Sequence, residues 1–349
     1  MMRGRVLVGL SGGVDSTLAA KLLLEAGYEC VGSYMRLCPD APPDSGGEAR
    51  AAAEQLGIPF YELDFREEFR RDVIDPFIRA YEAGRTPNPC ALCNRKIKFG
   101  ALLRKAEELG CDRVATGHYA RVEAQDGRFL LKRAADPAKD QTYFLAGLTQ
   151  AQLARVKFPL GVLTKARVRE LARQAGLLSA EKRDSQDICF VPGGDYAAVM
   201  EKLTGRTYPE GDYLDLAGNA VGRHRGAVRY TLGQRKGLKL ALGVPVYVCG
   251  KDMERNTVTV GPESALYRAG LRAEGMNWLA FDPPDGPLRC SVKTRHSQRE
   301  APATVRPQEN GGVVVEFDAP QRAVTPGQVV VLYDGDIVLG GGTIAEAVT

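Results

Sequence analysis

Near the start of this chain the apolar run Val6-Leu7-Val8-Gly9-Leu10 leads into Ser11-Gly12-Gly13-Val14-Asp15-Ser16 and then into an amphipathic run over 17–26. That order spells a strand, a tight glycine turn and a helix N-terminus, with Gly27 placed to cap the helix C-terminus. The two glycines let backbone approach a ligand closely, and the free N–H groups at the helix start face an anion. Ser11 and Ser16 add hydroxyl donors, and Asp15 is suited to help hold a Mg²⁺ that bridges phosphate oxygens. The Gly-Lys-Ser/Thr ending is absent, so this is not a Walker A loop.

The surrounding pattern extends the unit. Residues 28–35 and 58–63 read as further strands, 46–56, 73–83 and 97–109 as helices, and 113–116 as a short buried strand. Such alternation predicts an α/β fold with a doubly wound, Rossmann-like parallel sheet, helices on both faces and ligands at the C-terminal strand edge. Residues 41–47, rich in Pro and Gly, read as a mobile loop near that edge. Past residue 200 helix periodicity fades and turn signals multiply, as in Ala217-Gly218-Asn219-Ala220 and Val260-Gly261-Pro262. Short β runs follow at 290–293, 303–306, 313–317, 329–333 and 337–339, with Asp334-Gly335 as a hairpin turn, which predicts a small C-terminal β-barrel. The resulting division is a first domain over 1–200, a small linking domain over 201–272 and a barrel over 273–349.

Composition limits the function classes. No run of about eighteen apolar residues is present, so no membrane span is expected. The opening Met1-Met2-Arg3-Gly4-Arg5 runs straight into a strand with no signal-peptide core. Eight cysteines without a secretory signal predict a reducing, cytoplasmic setting and thiol or metal chemistry rather than a disulfide framework. The net charge of +4 says little by itself, but its distribution says more. Over 216–250 there is no Asp or Glu, while Arg223, His224, Arg225, Arg229, Arg235, Lys236 and Lys239 fall there. A one-signed stretch of this kind suits a polyanion, its plain alternative being a solvated basic face.

The glycine turn resembles the PP-loop, SGGxDS, of N-type ATP pyrophosphatases. Further motifs follow in order: Gly84-Arg85-Thr86-Pro87-Asn88-Pro89-Cys90-Ala91-Leu92-Cys93-Asn94-Arg95-Lys96-Ile97-Lys98-Phe99, Ala115-Thr116-Gly117-His118-Tyr119-Ala120-Arg121, Lys139-Asp140-Gln141-Thr142-Tyr143-Phe144-Leu145, Asp184-Ser185-Gln186-Asp187-Ile188-Cys189-Phe190, Tyr230-Thr231-Leu232-Gly233-Gln234-Arg235-Lys236-Gly237-Leu238, and Leu339-Gly340-Gly341-Gly342-Thr343-Ile344. Together they are similar to the tRNA-specific 2-thiouridylases of the MnmA family, from residue 6 to residue 344. The resemblance implies that ATP adenylates the C2 oxygen of the tRNA wobble uridine and that a sulfur nucleophile then displaces AMP. It places ATP at Gly9, Leu10, Ser11, Gly12, Gly13, Val14, Asp15 and Ser16, with Met35 and Gly117. It makes Cys93 the nucleophile and Cys189 the persulfide carrier. Asn88, Pro89 and Cys90 align with the part that meets the target base. Lys139, Asp140, Gln141, Arg295 and His296 align with tRNA-contacting segments, and Arg223, Arg225, Arg229, Arg235 and Lys236 of the basic stretch are expected to touch tRNA phosphate. The partners implied are tRNA and a sulfur donor, whether a cysteine desulfurase, a sulfur carrier protein or sulfide.

Taken singly, several of these residues have plainer readings. A lone cysteine such as Cys189 is usually a small buried hydrophobe, and Cys30, Cys38, Cys111, Cys249 and Cys290 carry no motif and read as structural. His118 reads as a packed histidine, Met35 as core, and Lys139-Asp140-Gln141 as a polar turn.

The chain also departs from the family pattern. Cys90 stands where many members carry Asp, which creates a CxxC with Cys93 and a distant third cysteine, Cys189. Three thiolates can hold three irons of a [4Fe–4S] cluster and leave the fourth open to bind hydrosulfide. A metal-free persulfide relay, a Cys90–Cys93 redox pair and a three-sulfur Zn²⁺ site are the alternatives. Asp187 stands where Gly is common, and a carboxylate near Cys189 would raise that thiol's pKa. Arg295-His296-Ser297-Gln298 differs from the usual RYRQ. Two other function classes share parts of this pattern: another PP-loop synthetase of the amidotransferase or argininosuccinate type, and a non-catalytic RNA-binding protein.

Overall fold

The computed structural model describes residues 3–42, 44–182 and 188–349. The first strand, β1 (Arg5–Gly9), is apolar because both its faces are covered, as in any central parallel strand. Helix α1 (Val14–Glu25) buries Val14, Leu18, Ala19 and Leu23, and Gly27 just past its end takes φ +84. The chain continues through β2 (Glu29–Arg36), α2 (Gly47–Leu56), β3 (Phe60–Asp64) and β4 (Arg113–Ala115). A hairpin of β5 (Arg121–Gln125) and β6 (Arg128–Lys132) precedes the short β7 (Val156–Lys157). The parallel sheet has the order β3-β2-β1-β4-β7. Strand order reverses between β1 and β4, so a crevice opens beyond their C-terminal ends, where the glycine loop and Thr116-Gly117-His118 emerge.

Two long helices differ from the sequence reading. The one expected over 73–83 starts earlier, as Arg66–Phe69, a π-helical stretch Arg70–Ile74 and Asp75–Glu82. The one expected over 97–109 starts at Pro89–Cys93, widens into a π-helix over Asn94–Ala101 and closes as Leu102–Glu108. Its start has a local cause. Asn88 Oδ1 accepts the Ala91 N–H at 3.2 Å, and Pro89 sits at the first helical position.

The middle of the chain forms a four-stranded sheet, β10-β11-β8-β9, from β8 (Gly211–Leu214), β9 (Ala220–His224), β10 (Tyr247–Asp252) and β11 (Thr257–Gly261). Its core holds Tyr213, Tyr230, Leu238, Val248 and Val258. The C-terminal strands are β12 (Tyr267–Trp278), β13 (Leu288–Lys293), β14 (Ala301–Pro307), β15 (Val313–Arg322), β16 (Val329–Asp334) and β17 (Ile337–Val348). They close into a six-stranded antiparallel barrel, β12-β15-β14-β13-β16-β17, through a β12–β17 pairing. Asp334-Gly335 makes the β16–β17 turn, with Gly335 at φ +54. The β5–β6 hairpin, unmarked in the sequence reading, docks on the barrel: Lys132 pairs with Ile337, Arg121 bonds Asp336 at 2.6 Å, and the Arg133 N–H donates to the Asp336 carbonyl. Among the described residues no helix is long and apolar enough to cross a membrane.

Candidate active site

The crevice at the β1/β4 switch is a cleft of about 520 Å³. Every residue from Gly9 to Ser16 lines it, together with Met35, Gly117, Lys139 and Gln141. Ser11 and Ser16 shape the loop from within: the Ser11 N–H donates to Ser16 Oγ at 3.0 Å, and the two hydroxyls are 3.1 Å apart. Thr17 Oγ1 donates to the Gly13 carbonyl at 3.0 Å. Two glycines are required by space. A Cβ on Gly12, which has φ +75, would lie 2.5 Å from Glu48 Cβ, and one on Gly117 would lie 2.7 Å from the Asp15 carbonyl carbon and from Ser16 N.

Four further residues complete the cleft: Lys165 and Lys182 come from segments without a motif, and Tyr119 and Lys98 from motifs that gave them no role. Lys165 Nζ lies 2.7 Å from both Asp15 oxygens, and Tyr119 Oη donates to Asp15 Oδ1 at 2.7 Å. Lys182 Nζ lies 2.6 Å from Glu48 Oε1 and donates to the Gly12 carbonyl at 3.2 Å. Lys98 also faces the cleft. Both carboxylates on the cleft wall are therefore already paired with lysines. The Asp15 carboxylate does not fit the Mg²⁺ role read from the sequence, because a metal there would have to displace Lys165. The cleft suits a polyphosphate carried by backbone N–H groups and ammonium groups. His118 is a packed histidine on its floor. Its Nδ1 lies 2.6 Å from Thr116 Oγ1, Phe99 and Phe158 pack around its ring, and burial drives its pKa well below the usual range.

The thiols gather beside this cleft. Cys90 and Cys93 stand one turn apart on the helix that Asn88 caps. Burial raises Cys90 and pushes Cys93 up to about 12, while Lys98 pulls both down. Cys189 is exposed, and Lys98 acts on it as well. Cys38, read as structural from the sequence, belongs with them: it follows β2, and its Sγ lies 3.6 Å from the Cys189 carbonyl oxygen. Hydrogen bonding between the two thiols lowers the Cys38 pKa and raises that of Cys189. Asp184, Ser185, Gln186 and Asp187 lie outside the described residues, and with them the expected effect of Asp187 on Cys189. All eight cysteines are free thiols. Among the described residues no three His, Cys, Asp or Glu side chains stand close enough to hold one metal ion, so a formed zinc site does not fit.

The residues read as tRNA contacts divide. Gln141 Oε1 accepts the Tyr119 N–H at 2.9 Å on the cleft wall. Asp140 is buried, accepting from the Ala134 N–H at 3.0 Å and the Thr142 hydroxyl at 2.6 Å, which keeps its carboxylate from any external ligand. Arg295 points inward. Its Nη2 donates to the carbonyls of Leu232 and Ala323, at 2.9 and 3.1 Å, and to the Thr325 hydroxyl, tying the middle domain to the barrel. His296 is exposed beside Phe144, with ring centroids 4.5 Å apart. Acids from outside the basic stretch neutralise part of it: Arg223 pairs with Asp212 at 2.8 Å, and Arg229 with Glu201 at 2.5 Å. Arg225, Arg235, Lys236 and Lys239 stay exposed, with no carboxylate partner among the described residues.

Three family models match consecutive parts of the chain: the tRNA methyl transferase HUP domain over 4–193, the tRNA methyl transferase PRC-barrel domain over 199–262 and the aminomethyltransferase beta-barrel domain over 268–344. The chain is 47% identical to the tRNA-specific 2-thiouridylase MnmA of Acetivibrio thermocellus, covering 99% of this chain and 100% of that one. It is 48% identical to the protein of that name from Symbiobacterium thermophilum, covering 99% and 93%, and 45% identical to that of Clostridium perfringens, covering 99% of each. Similarity at this level, along the whole chain and through all three domains, places it in the tRNA-specific 2-thiouridylase (MnmA) family.

Proposed function

We propose that this protein replaces the C2 oxygen of the tRNA wobble uridine with sulfur at the expense of ATP. The observation that carries the reading is the junction of two chemistries: a polyphosphate-binding cleft at the sheet's switch point and a group of thiols beside it, with Lys98 facing both. The names of the relatives support the same reaction.

ATP would lie with its phosphates over the glycine loop. The uridine O2 attacks the α-phosphorus, the bond from that phosphorus to the β-phosphate oxygen breaks, and the uracil N3 proton is lost. Loop N–H groups and Lys182 hold the departing pyrophosphate. The terminal sulfur of a Cys189 persulfide, loaded by an external sulfur donor, then forms the C2–S bond as the C2–O bond breaks and its electron pair leaves with AMP. The Cys93 thiolate attacks the Cys189 sulfur. The S–S electron pair stays on the uridine sulfur, N3 regains its proton, and a Cys93–Cys189 disulfide remains for a dithiol to reduce. The base must leave its stack to reach this point. Arg225, Arg235, Lys236 and Lys239 supply phosphate contacts.

A second reading draws on Cys90, which completes a trio with Cys93 and Cys189. Those three would hold a [4Fe–4S] cluster, which would supply an open iron for sulfide.

An anaerobic assay on unmodified tRNA with ATP, supplied with both a persulfide donor (a cysteine desulfurase with cysteine) and sulfide and read by mass spectrometry of the digested tRNA, tests both. 2-Thiouridine formed by metal-free and cluster-reconstituted protein alike supports the relay. Product from reconstituted protein alone supports the cluster, and no product from either overturns the function.

A further inference from the structure

Lys98 lies in the motif Asn94-Arg95-Lys96-Ile97-Lys98-Phe99, which gave it no role, and the structure brings it to the centre. It lies on the π-helical stretch Asn94–Ala101, five residues past Cys93. In an α-helix a residue five positions on points about 140° away around the axis. In a π-helix the i→i+5 hydrogen bond stacks that residue close to one turn above its starting point. The widened turn therefore sets Lys98 over Cys93, while its own side chain lines the nucleotide cleft. No carboxylate among the described residues pairs with it, although Asp15 and Glu48 in the same cleft are each taken by another lysine. Its charge acts on Cys90, Cys93 and Cys189, the three thiols of the trio.

We propose that Lys98 is a further catalytic residue, an ammonium shared between the nucleotide and the sulfur, which stabilises the step in which the C2–S bond forms and the C2–O bond breaks. Two anions meet in that step. The attacking sulfur carries negative charge, and the electron pair of the broken bond adds charge to AMP as it leaves. Without a cation between them the sulfur would be repelled by the phosphate it must displace. An unpaired ammonium offsets that repulsion, and a half-buried site strengthens its effect relative to water. This inference rests on the thiolation reading above.

The test compares wild type, Lys98→Ala and Lys98→Arg in single-turnover thiolation of tRNA at saturating ATP, with ATP affinity measured in parallel. Wild type must form 2-thiouridine; if it does not, the thiolation reading itself fails. Given that activity, Lys98→Ala should bind ATP within about fivefold of wild type and lose about 10²–10³-fold in the sulfur-transfer rate. Added ethylammonium should restore part of that loss, and Lys98→Arg should retain most of the rate; a packing role would show neither response. An alanine variant within threefold of wild type overturns the inference. So does an arginine variant as slow as the alanine variant, with no rescue by ethylammonium. If the alanine variant does not fold, the arginine variant alone decides: retained rate supports the inference, and loss of rate with ATP binding intact overturns it.

Discussion

Replacing Gly117 by Ala tests how the cleft is built. Gly117 does not lie in the left-handed region, so the substitution brings no backbone strain, only a methyl group. That methyl would meet the Asp15 carbonyl carbon and Ser16 N at 2.7 Å and Asp15 Cβ at 2.9 Å. Comfortable carbon contacts lie at about 3.5–4.0 Å, so the overlap is roughly 1 Å, and it falls on backbone that cannot rotate aside. The first turn of α1 or the segment after β4 must move by about that distance. Overpacking of this kind costs about 1–3 kcal/mol of stability. The larger effect falls on the ligand, because the displaced N–H groups are those that face the phosphates. A misplacement of about 1 Å is worth on the order of 10²-fold, or about 2.7 kcal/mol of binding. Titration calorimetry with ATP should show that loss in Gly117→Ala. Gly47→Ala, at the first residue of α2 with nothing within 4 Å of its Cβ, should bind as wild type does. Gly117→Ala binding ATP within twofold of wild type would refute the account of the loop's position.

Four other outcomes follow. Neutralising Arg235 and Lys236 together should lower the salt slope of tRNA binding by about 1.5–2, while Arg223→Gln, already paired with Asp212, should leave it unchanged; filter binding across salt concentrations separates them. Arg295→Ala should loosen the middle domain from the barrel, at a cost of about 2–3 kcal/mol, and show as faster proteolysis near 231–234. Cys93→Ser and Cys189→Ser should each abolish thiolation with ATP affinity intact, and retained thiolation in either would remove that residue from the mechanism. Lys251 is the pH probe. Its Nζ is buried with no hydrogen-bond partner among the described residues, and burial lowers its pKa to about 8. Below pH 8 the folded protein bears the cost of a buried charge. Between pH 8 and about 10.5 the unfolded chain holds the proton that the folded chain has released, so stability rises with pH across that window. Lys251→Met should remove the rise and stabilise the protein at pH 7 by up to about 3 kcal/mol, as urea unfolding at several pH values would show.

The legible parts of this molecule were those written in contiguous residues. The β1–loop–α1 unit, the turn at Asp334-Gly335 and the alternating barrel strands follow from local periodicity and glycine placement. The Asn88 cap with Pro89 was equally local, yet the CxxC after it drew the reading toward chemistry and away from a helix start. Long-range pairings left no trace in sequence. Lys165 reaching Asp15, Lys182 reaching Glu48 and Cys38 reaching Cys189 join segments whose local patterns are ordinary. Charge counting along 216–250 missed the same thing, because Asp212 and Glu201 lie just outside the window that looked free of acids. The inward turn of Arg295 depends on carbonyls from two other segments, which a motif comparison does not carry.

The β5–β6 hairpin has a consequence for how the chain is made. Its second strand, β6, ends at Lys132, and the turn that seats on it, Asp334 to Ile337, lies about 200 residues later. At roughly 5–20 residues per second, a ribosome would leave that edge without its partner for about 10–40 s. The parallel sheet has all its strands by Lys157, but the hairpin inserted between β4 and β7 waits for Ile337. A message truncated before the final strand would therefore release a chain whose parallel sheet is fully synthesised yet whose hairpin carries an open strand edge, ready to pair with a neighbouring chain.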